Sequence, residues 1–433
     1  MAIIRKEKFI FVESVANHNK FWYIEEHDSG LIKTIWGRVG NKESVSEKQF
    51  GSNASKEYDK LVKSKLKKGY TRLNTIENDI AKLSTTGLSK QSLESLALSE
   101  IDFDKSNKTI SNMIKLFCTE NIHNITENTS ITFNSDSNIF QTPCGIVTVE
   151  AITDARNVLD QLFDKFEQNK YNDSDFTVLT EKYCTIIPQK IKGRFEARKI
   201  FNYKTDFTRQ YDILNSLEDS LKIIEDLKIK DVKKKANTDK LFNVSLSEVT
   251  SASAIKRITN LFNKTHQSMH SCRNLKIKRV FELHIAGMER NYQETVDTWN
   301  KKDKPLNHQE LWHGTKKSNI ISILKNGFVI PPSNAKHVVG RMFGSDGIYL
   351  SDQSTKSLNY SYGWWSGSRD KNCFMFLCDA LLGKQYIPTG SCSHLPKGYN
   401  SIFAKAGYSN VQNNEMIVPL NQVNPKYLIE FDE

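Results

Sequence analysis

Apolar positions along this chain follow a strand period first, a helical period next, and a mixture of the two in the last half. Residues 9–12 and 20–25 read as strands joined by a turn, and His27-Asp28-Ser29-Gly30 is a second turn signal. Residues 31–39 give a third strand, ending in Trp36-Gly37-Arg38. A helix is predicted next, with Tyr58, Leu61 and Leu66 at its apolar positions, closed by Lys68-Gly69-Tyr70. Residues 81–106 are polar and read as a linker holding a short helix around Leu93 and Leu98. From Thr109 the period is helical, with Ile110, Met113, Ile114 and Phe117 at i, i+3, i+4 and i+7. Residues 124–141, rich in Asn, Ser and Thr, read as a loop or insertion. Three more helices are predicted. One buries Ile152, Ala155, Leu159 and Leu162; one covers 175–185 ahead of Pro188; a longer one carries Leu214, Leu217, Leu221 and Ile224 on one face. Taken alone, residues 107–228 are an all-α bundle.

Beyond residue 229 strands and helices mix without repeated βαβ units, which argues for an α+β fold. Leu275, Ile277, Phe281 and Leu283 make a strand whose imperfect alternation predicts a bulge. Further apolar strands fall at 374–378, 416–418 and 427–431. The stretch 311–360 organises this half. Leu311-Trp312 precede His313 and Gly314; Thr315 is placed to cap a short helix with Ile320, Ile323 and Leu324 inward, and Gly327 stands where a helix-terminal glycine belongs. Residues 347–350 read as a strand, and Ser351 and Asp352 can cap the next helix, which carries Ser357 and Tyr360. Exposed backbone at a glycine, a histidine, a serine hydroxyl and two tyrosines suit a flat polar ring clamped between aromatics.

Composition changes this picture little. Among 433 residues, Lys and Arg outnumber Asp and Glu 61 to 50. Residues 1–75 hold fifteen of those cations against nine carboxylates. That balance fits either a solubilising surface or a polyanionic partner such as nucleic acid. The seven cysteines, at 118, 144, 184, 272, 373, 378 and 392, form no CxxC pair, which argues against a zinc ribbon or disulfide scaffold. With no apolar run of transmembrane length and no signal-like start, an intracellular protein without membrane contact is expected.

The motifs WHG, GIYLSD, KSLNY and NNEMIV, in that order, resemble the catalytic domain of the poly(ADP-ribose) polymerase family. FWYIEE, IWGRVG and KKGY resemble the family's WGR domain, and LTEKYCTIIPQ followed by ILNSLEDSL resembles its helical regulatory domain. LPKG at 395–398, QVNPKYLIEF at 422–431 and the pair Thr265-His266 also match. The resemblance implies an α+β chain in four parts. These are a WGR β-sheet DNA-binding domain over 1–80, a linker over 81–106, an all-α helical regulatory domain over 107–228, and a split β-sheet ADP-ribosyltransferase catalytic domain over 229–433. It places the chain with the short family members that lack zinc fingers.

The resemblance also assigns roles. NAD is the substrate, and no metal is needed. Gly314 backbone and the Ser357 hydroxyl hold the nicotinamide amide, Tyr360 stacks on the ring, Tyr349 lines the pocket, and His313 anchors a ribose hydroxyl. Glu415 stabilises oxocarbenium character on the ribose and polarises the incoming hydroxyl, completing a His-Tyr-Glu set of His313, Tyr349 and Glu415. Met342 and Lys356 match positions that handle the acceptor or the pyrophosphate. Val329 stands where many relatives carry an arginine, and the connection from Gly407 to Asn414 is shorter than is common in polymerases. Trp36 and Arg38 would hold a DNA break near its 5′ phosphate; read singly, they fit a core tryptophan and a surface ion pair. Polar Asn215 and Asp219 match positions that face the NAD site in relatives. The implied protein is a monomeric, DNA-break-activated ADP-ribosyltransferase, with poly- favoured over mono-ADP-ribosylation. It modifies acceptor proteins, itself included, and is nuclear in a eukaryote and cytoplasmic otherwise. The alternatives are a mono-ADP-ribosyltransferase on the same fold and a weakly catalytic sensor of DNA ends.

Overall fold

The computed structural model describes residues 2–13, 18–38, 43–73, 93–134, 139–142, 145–190, 196–232, 240–330, 342–344 and 347–433. The side chains of Arg38 and of 223–232, Ile224 among them, together with Cys144 and the lysine run 233–235, lie outside the described residues. The chain divides into two compact units: residues 1–92 with 122–235, and residues 93–121 with 236–433.

In the first unit, β1 (Ile3–Glu13), β2 (His18–His27), β3 (Leu31–Arg38), β4 (Ser44–Gln49) and β5 (Thr71–Leu73) make an antiparallel sheet ordered β4-β3-β2-β1-β5. The three expected strands are present: the first two run longer than expected at 9–12 and 20–25, and the third covers Leu31–Arg38. β4 carries no alternating pattern because none of its residues is buried, as an outer strand permits. The helix Ala54–Lys67 covers one face, against Phe9, Trp22, Ile24 and Ile32. It buries Ala54, Tyr58 and Val62, at i, i+4 and i+8, and leaves the expected core residue Leu66 41% exposed. Gly30 closes the β2–β3 turn at φ 76°, where a Cβ would meet the Gly51 backbone at 2.6 Å.

The rest of this unit is built from the helices Val149–Glu167, Ser174–Ile186, Ala197–Ile200 and Lys204–Val232. Thr148 and Asp173 cap the first two through hydrogen bonds to Ala151 and Asp175. Ile152, Ala155, Leu159, Leu162, Leu214 and Leu217 share one buried core. The bundle is not all-α, however. Where a loop is expected at 124–141, the helix Lys108–Asn128 runs on. A small antiparallel sheet follows, made of β6 (Thr132–Asn134), β7 (Ile139–Thr142) and β8 (Gly145–Ile146). Phe140 is 1% exposed and packs on Phe133 at 4.8 Å; two phenylalanines within a polar run are enough to seat the hairpin.

The second unit holds two sheets. β9 (Val244–Glu248), β10 (Lys276–Ile285), β11 (His308–Gly314), β13 (Cys373–Leu381) and β17 (Val423–Asp432) form the larger, ordered β11-β13-β17-β10-β9 and antiparallel throughout. β12 (Ile348–Leu350), β14 (Gln385–Tyr386), β15 (Ser401–Ala404) and β16 (Glu415–Val418) form the smaller, ordered β12-β16-β15-β14. The predicted bulge in β10 falls between Ile277 and Arg279. On β13, Cys373, Met375 and Leu377 pack with Trp312, Leu358, Phe262 and Ile258. Phe374 meets Phe117 edge-on at 4.8 Å, and Phe376 meets Phe328 at 5.5 Å.

Phe117 belongs to residues 93–121, and these are not a connection running over the surface. The helix Leu93–Glu100 accepts hydrogen bonds at the Glu100 carboxylate from the backbone of Leu241 and Phe242. Asp102 bridges to Ser245 beside β9, and Asn121 donates to the Ser318 carbonyl. The described part of the expected linker, 93–106, is thus folded into the second unit. Phe117→Ala is expected to lower the stability of β13, read by amide hydrogen exchange, by about 3–5 kcal/mol. Protection of β1–β3 should be unchanged; unaltered β13 exchange would show that the helix Lys108–Asn128 adds nothing to that core.

Candidate functional site

The two sheets of the second unit are split, and a backbone bridge joins them. Trp312 on β11 and Ser351 just after β12 exchange both backbone hydrogen bonds, at 2.9 and 3.0 Å. Backbone groups alternate sides along a strand, so Gly314 directs its N–H and C=O to the same open edge as Trp312, away from β13. A Cβ on Gly314 would lie 1.7 Å from the Ser357 carbonyl, so only glycine admits the helix Ser354–Tyr362 this close. Ser357 locks that contact, its hydroxyl donating to the Trp312 carbonyl at 2.9 Å.

His313 points to the opposite sheet face from Trp312, against Phe328 at 4.5 Å and Phe376 at 6.4 Å. Its Nδ1 is 2.9 Å from the Tyr349 carbonyl. A carbonyl can only accept, so Nδ1 carries the proton. Burial holds the ring pKa below its usual value, against the raising effect of this bond. The neutral ring therefore offers Nε2 as an acceptor. Tyr349 uses its hydroxyl twice, accepting from the Phe343 N–H at 2.8 Å and donating to the Gly344 carbonyl at 3.0 Å. Its hydroxyl thereby holds Phe343 and Gly344, next to Met342, which is 50% exposed.

β12 lies antiparallel to β16, with Leu350 opposite Met416, and Glu415 is the first residue of β16. Glu415 is 7% exposed. It contacts the ammonium of Lys356, itself 13% exposed on its side chain. Burial pulls the Lys356 pKa down to about 7, against the Asp352 carboxylate, which favours the proton. Asn414 donates to Asp352 at 2.9 Å, and its carbonyl accepts from Ser351 at 2.7 Å. The second carboxylate oxygen of Asp352 is buried with no partner among the described residues. Tyr360 stands one turn beyond Lys356, whose Nζ is 5.9 Å from its ring; burial raises the phenol to about 12 and keeps it protonated. His313, Gly314, Tyr349, Lys356, Ser357, Tyr360 and Glu415 thus converge on the split through a continuous set of contacts.

Several supports escaped the sequence reading. None of the three expected cap residues caps its helix. Thr315 accepts instead from Asn319, Ser351 is spent on Gln353 and Asn414, and Asp352 accepts from Asn414. The start of the helix Ser354–Tyr362 is held from a distance: Ser354 N–H reaches Thr265, Thr355 bonds Gln267 and the buried His270 at 2.8 Å, and Asn359 accepts from Cys272 at 3.3 Å. His270, four residues past the matched Thr265-His266 pair, is the histidine turned inward. Burial, then the charges of Lys356 and His266, lower its pKa. Among the described residues no group of three or more His, Cys, Asp or Glu could hold a metal ion, and no helix is long and apolar enough to cross a membrane.

In the first unit, Trp36 pairs across β2 with Trp22 but is 39% exposed where Trp22 is 3% exposed, so it is not a core residue. Arg38 closes β3 opposite Lys20. Five lysines, 56, 60, 63, 67 and 68, line a shallow groove along the helix Ala54–Lys67 together with Asp59 and Ser64. Lys65 instead lies over the rings of Trp22 and Tyr70, at 5.0 and 4.8 Å. Burial, with Lys68 and Lys20 adding to it, lowers its pKa.

Three family profiles match the chain in order. Residues 7–77 match the WGR domain, 105–244 the poly(ADP-ribose) polymerase regulatory domain, and 252–430 the poly(ADP-ribose) polymerase catalytic domain. Among curated relatives, the chain is 25% identical over 411 residues to poly(ADP-ribose) polymerase 2 of Zea mays, covering 88% of this chain and 59% of that protein. It is 23% identical over 431 residues to poly(ADP-ribose) polymerase 2-B of Oryza sativa subsp. japonica, covering 94% and 64%. With poly(ADP-ribose) polymerase 1 of Gallus gallus it shares 32% over 150 residues, 34% of this chain and 14% of that one. The chain thus spans less than two thirds of the length of each of these relatives. The three matches, in this order and together covering most of the chain, place it in the poly(ADP-ribose) polymerase family.

Proposed function

We propose that this protein is a DNA-break-activated ADP-ribosyltransferase that uses NAD as donor and modifies acceptor proteins, itself included. The carrying observation is the buried Glu415 carboxylate, held by Lys356 beside the edge where Gly314 leaves a donor and an acceptor open. In this reading the nicotinamide amide pairs with the Gly314 backbone and its ring lies against Tyr360. Nε2 of His313 accepts from a ribose hydroxyl. The bond between ribose C1′ and nicotinamide nitrogen breaks with its electrons going to nicotinamide, which leaves neutral. Positive charge develops on the ribose, and a pre-placed carboxylate stabilises it without reorganisation. An acceptor oxygen then bonds to C1′ and gives up its proton through Glu415. Glu415 supports chain elongation over transfer of single units, with Met342 on the acceptor side and Lys356 positioning the carboxylate. Exposed Trp36, with Arg38, supports contact with a strand break bearing a 5′ phosphate, and a nucleic-acid partner supports a nuclear location in a eukaryote. The monomeric state and the division into 1–80, 107–228 and 229–433 belong to the same reading, with 93–106 carried by the catalytic unit.

Nicotinamide release from NAD by the purified protein should rise strongly when a 5′-phosphorylated nicked duplex is added. Glu415→Gln should bind NAD as the parent does and release nicotinamide roughly a hundred to a thousand times more slowly. Equal turnover in the two proteins would remove Glu415 from the chemistry.

Trp36→Ala should weaken nicked-duplex binding about tenfold, since stacking of this kind contributes ~1–3 kcal/mol, while leaving the fold intact. The check is a binding titration at two salt concentrations, where the salt slope should stay the same because no phosphate contact is lost.

The Lys356 ammonium partners Glu415 only while it holds its proton, below about pH 7. Turnover should therefore fall as pH rises through that region, and Lys356→Met should lose this limb of the pH–rate profile. An unchanged limb in the variant would assign it to another group.

A further inference from the structure

One buried ionisable side chain beside the site has no part in the transfer chemistry. His270 is 7% exposed and lies on the segment between the helix Ala252–Lys264 and β10. Its Nδ1 is 2.8 Å from the Thr355 hydroxyl oxygen, which also accepts from the Gln267 N–H at 2.8 Å. That hydroxyl has one proton and two acceptors in reach, Nδ1 and the Gln267 carbonyl at 3.3 Å. Nδ1 is the nearer, so a neutral ring with its proton on Nε2 takes it. Thr355 is held at its other end by Cys272, whose thiol donates to the Thr355 carbonyl at 3.2 Å and stays protonated because burial raises it to about 12. Thr355 is fully buried and directly precedes Lys356. Contacts further along the helix have holders of their own: the Trp312 carbonyl fixes Ser357, and the Cys272 N–H fixes Asn359. His270 therefore acts on the first turn, from which the Lys356 ammonium reaches Glu415.

Charge ties His270 to the same pair. Lys356 from the helix and His266 from its own segment add to burial in disfavouring a proton on it. His266 is engaged separately, its Nε2 lying 2.8 Å from the Arg273 carbonyl. A proton on His270 would do two things at once. Nδ1–H would become a donor, so the Thr355 hydroxyl would have to turn to Gln267. A second positive charge would also enter a dry region beside Lys356, where like charges repel. We propose that His270 is a positioning residue for ADP-ribosyl transfer: neutral, it fixes Thr355 and with it the contact of Lys356 with Glu415; protonated, it withdraws that support. The proposal rests on the ADP-ribosyltransferase reading and adds a residue to it.

The experiment follows nicotinamide release by the full chain against pH for parent, His270→Ala, His270→Asn and Thr355→Val proteins. Asn offers an acceptor, Oδ1, in the place of Nδ1 and cannot take up charge. His270→Ala should lose about tenfold in kcat while its KM for NAD stays within about twofold, since Gly314 and Tyr360 lie outside the clasp. His270→Asn should recover kcat to within about twofold of the parent. Parent turnover should also fall as pH drops below the usual histidine range, because the folded protein holds the His270 pKa under that range. His270→Asn should lack this acid limb and keep the fall above about pH 7 that Lys356 sets. Combining His270→Ala with Thr355→Val should cost no more than either change alone, as groups acting through one another do. Parent-like kcat in His270→Ala, or an acid limb that survives in His270→Asn, would overturn the proposal; should His270→Ala not fold, the acid limb of His270→Asn decides it. A parent protein that releases no nicotinamide defeats the enzyme reading alone. Amide exchange across Ser354–Tyr362 then decides the positioning role: it should be faster in His270→Ala than in parent and His270→Asn, and equal exchange in all three would overturn it.

Discussion

Two backbone hydrogen bonds between Trp312 and Ser351 are what the rest of the catalytic unit depends on. They are the point at which a five-stranded and a four-stranded sheet meet. His313 and Gly314 flank them on one side, Tyr349 and Asp352 on the other, and Lys356, Ser357 and Tyr360 follow on the next helix, while Glu415 comes from β16. The indole of Trp312 is 1% exposed and wedged among Phe262, Leu358 and Met375, which keeps this junction dry. A dry junction lets two backbone bonds fix a geometry that water would otherwise contest. The same constraint explains why Gly314 must lack a side chain and why Ser357 is spent on a carbonyl: both bring the helix Ser354–Tyr362 onto the strand edge.

Charge in the site is arranged with equal economy. Removing a carboxylate and an ammonium from water is costly for each, and is tolerable because Glu415 and Lys356 meet. Asp352 and Asn414 brace the pair from the side, and Asp352 keeps one carboxylate oxygen without a partner among the described residues. A carboxylate left under-satisfied beside a buried cation keeps part of its negative potential inside the site. His313 contributes by being neutral: burial keeps the proton count at one, and the Tyr349 carbonyl dictates which nitrogen holds it.

Legibility in the sequence followed the range of the interaction. Gly314, His313 and Ser357 could be found because their demands are local: a backbone without a Cβ, a polar ring before a turn, a hydroxyl one helical turn in. The meeting of Lys356 with Glu415 could not, since nothing in either neighbourhood encodes a partner so distant along the chain. The clasp of Thr265 and His270 on Ser354 and Thr355 was hidden likewise. Strand β4 was hidden for the opposite reason: with no buried residue it has no pattern to read. The hairpin at Phe133 and Phe140 was masked by its polar surroundings, and the helical stripe of Ile110, Ile114 and Phe117 showed that a face is buried but not which body buries it. Leu66 was misplaced because Ala54, too small to weigh in an apolar pattern, sets the phase of its helix.

The catalytic unit is interrupted in sequence, opening at residue 93, yielding to another unit at 122 and resuming at 236. In the larger sheet, the strand that comes last along the chain, β17, is the middle one. During synthesis this has a consequence for timing. Phe117 leaves the ribosome roughly ten to fifty seconds before Phe374 is available to cover it, at ordinary elongation rates. No stable fraction of the sheet can assemble in that interval, because its two halves, β11-β13 and β10-β9, share no edge until β17 lies between them. The WGR sheet can form early on the nascent chain, whereas the catalytic unit closes in a single late event. A chain cut short before β17 should therefore carry a folded first sheet and no partly assembled split in the second unit.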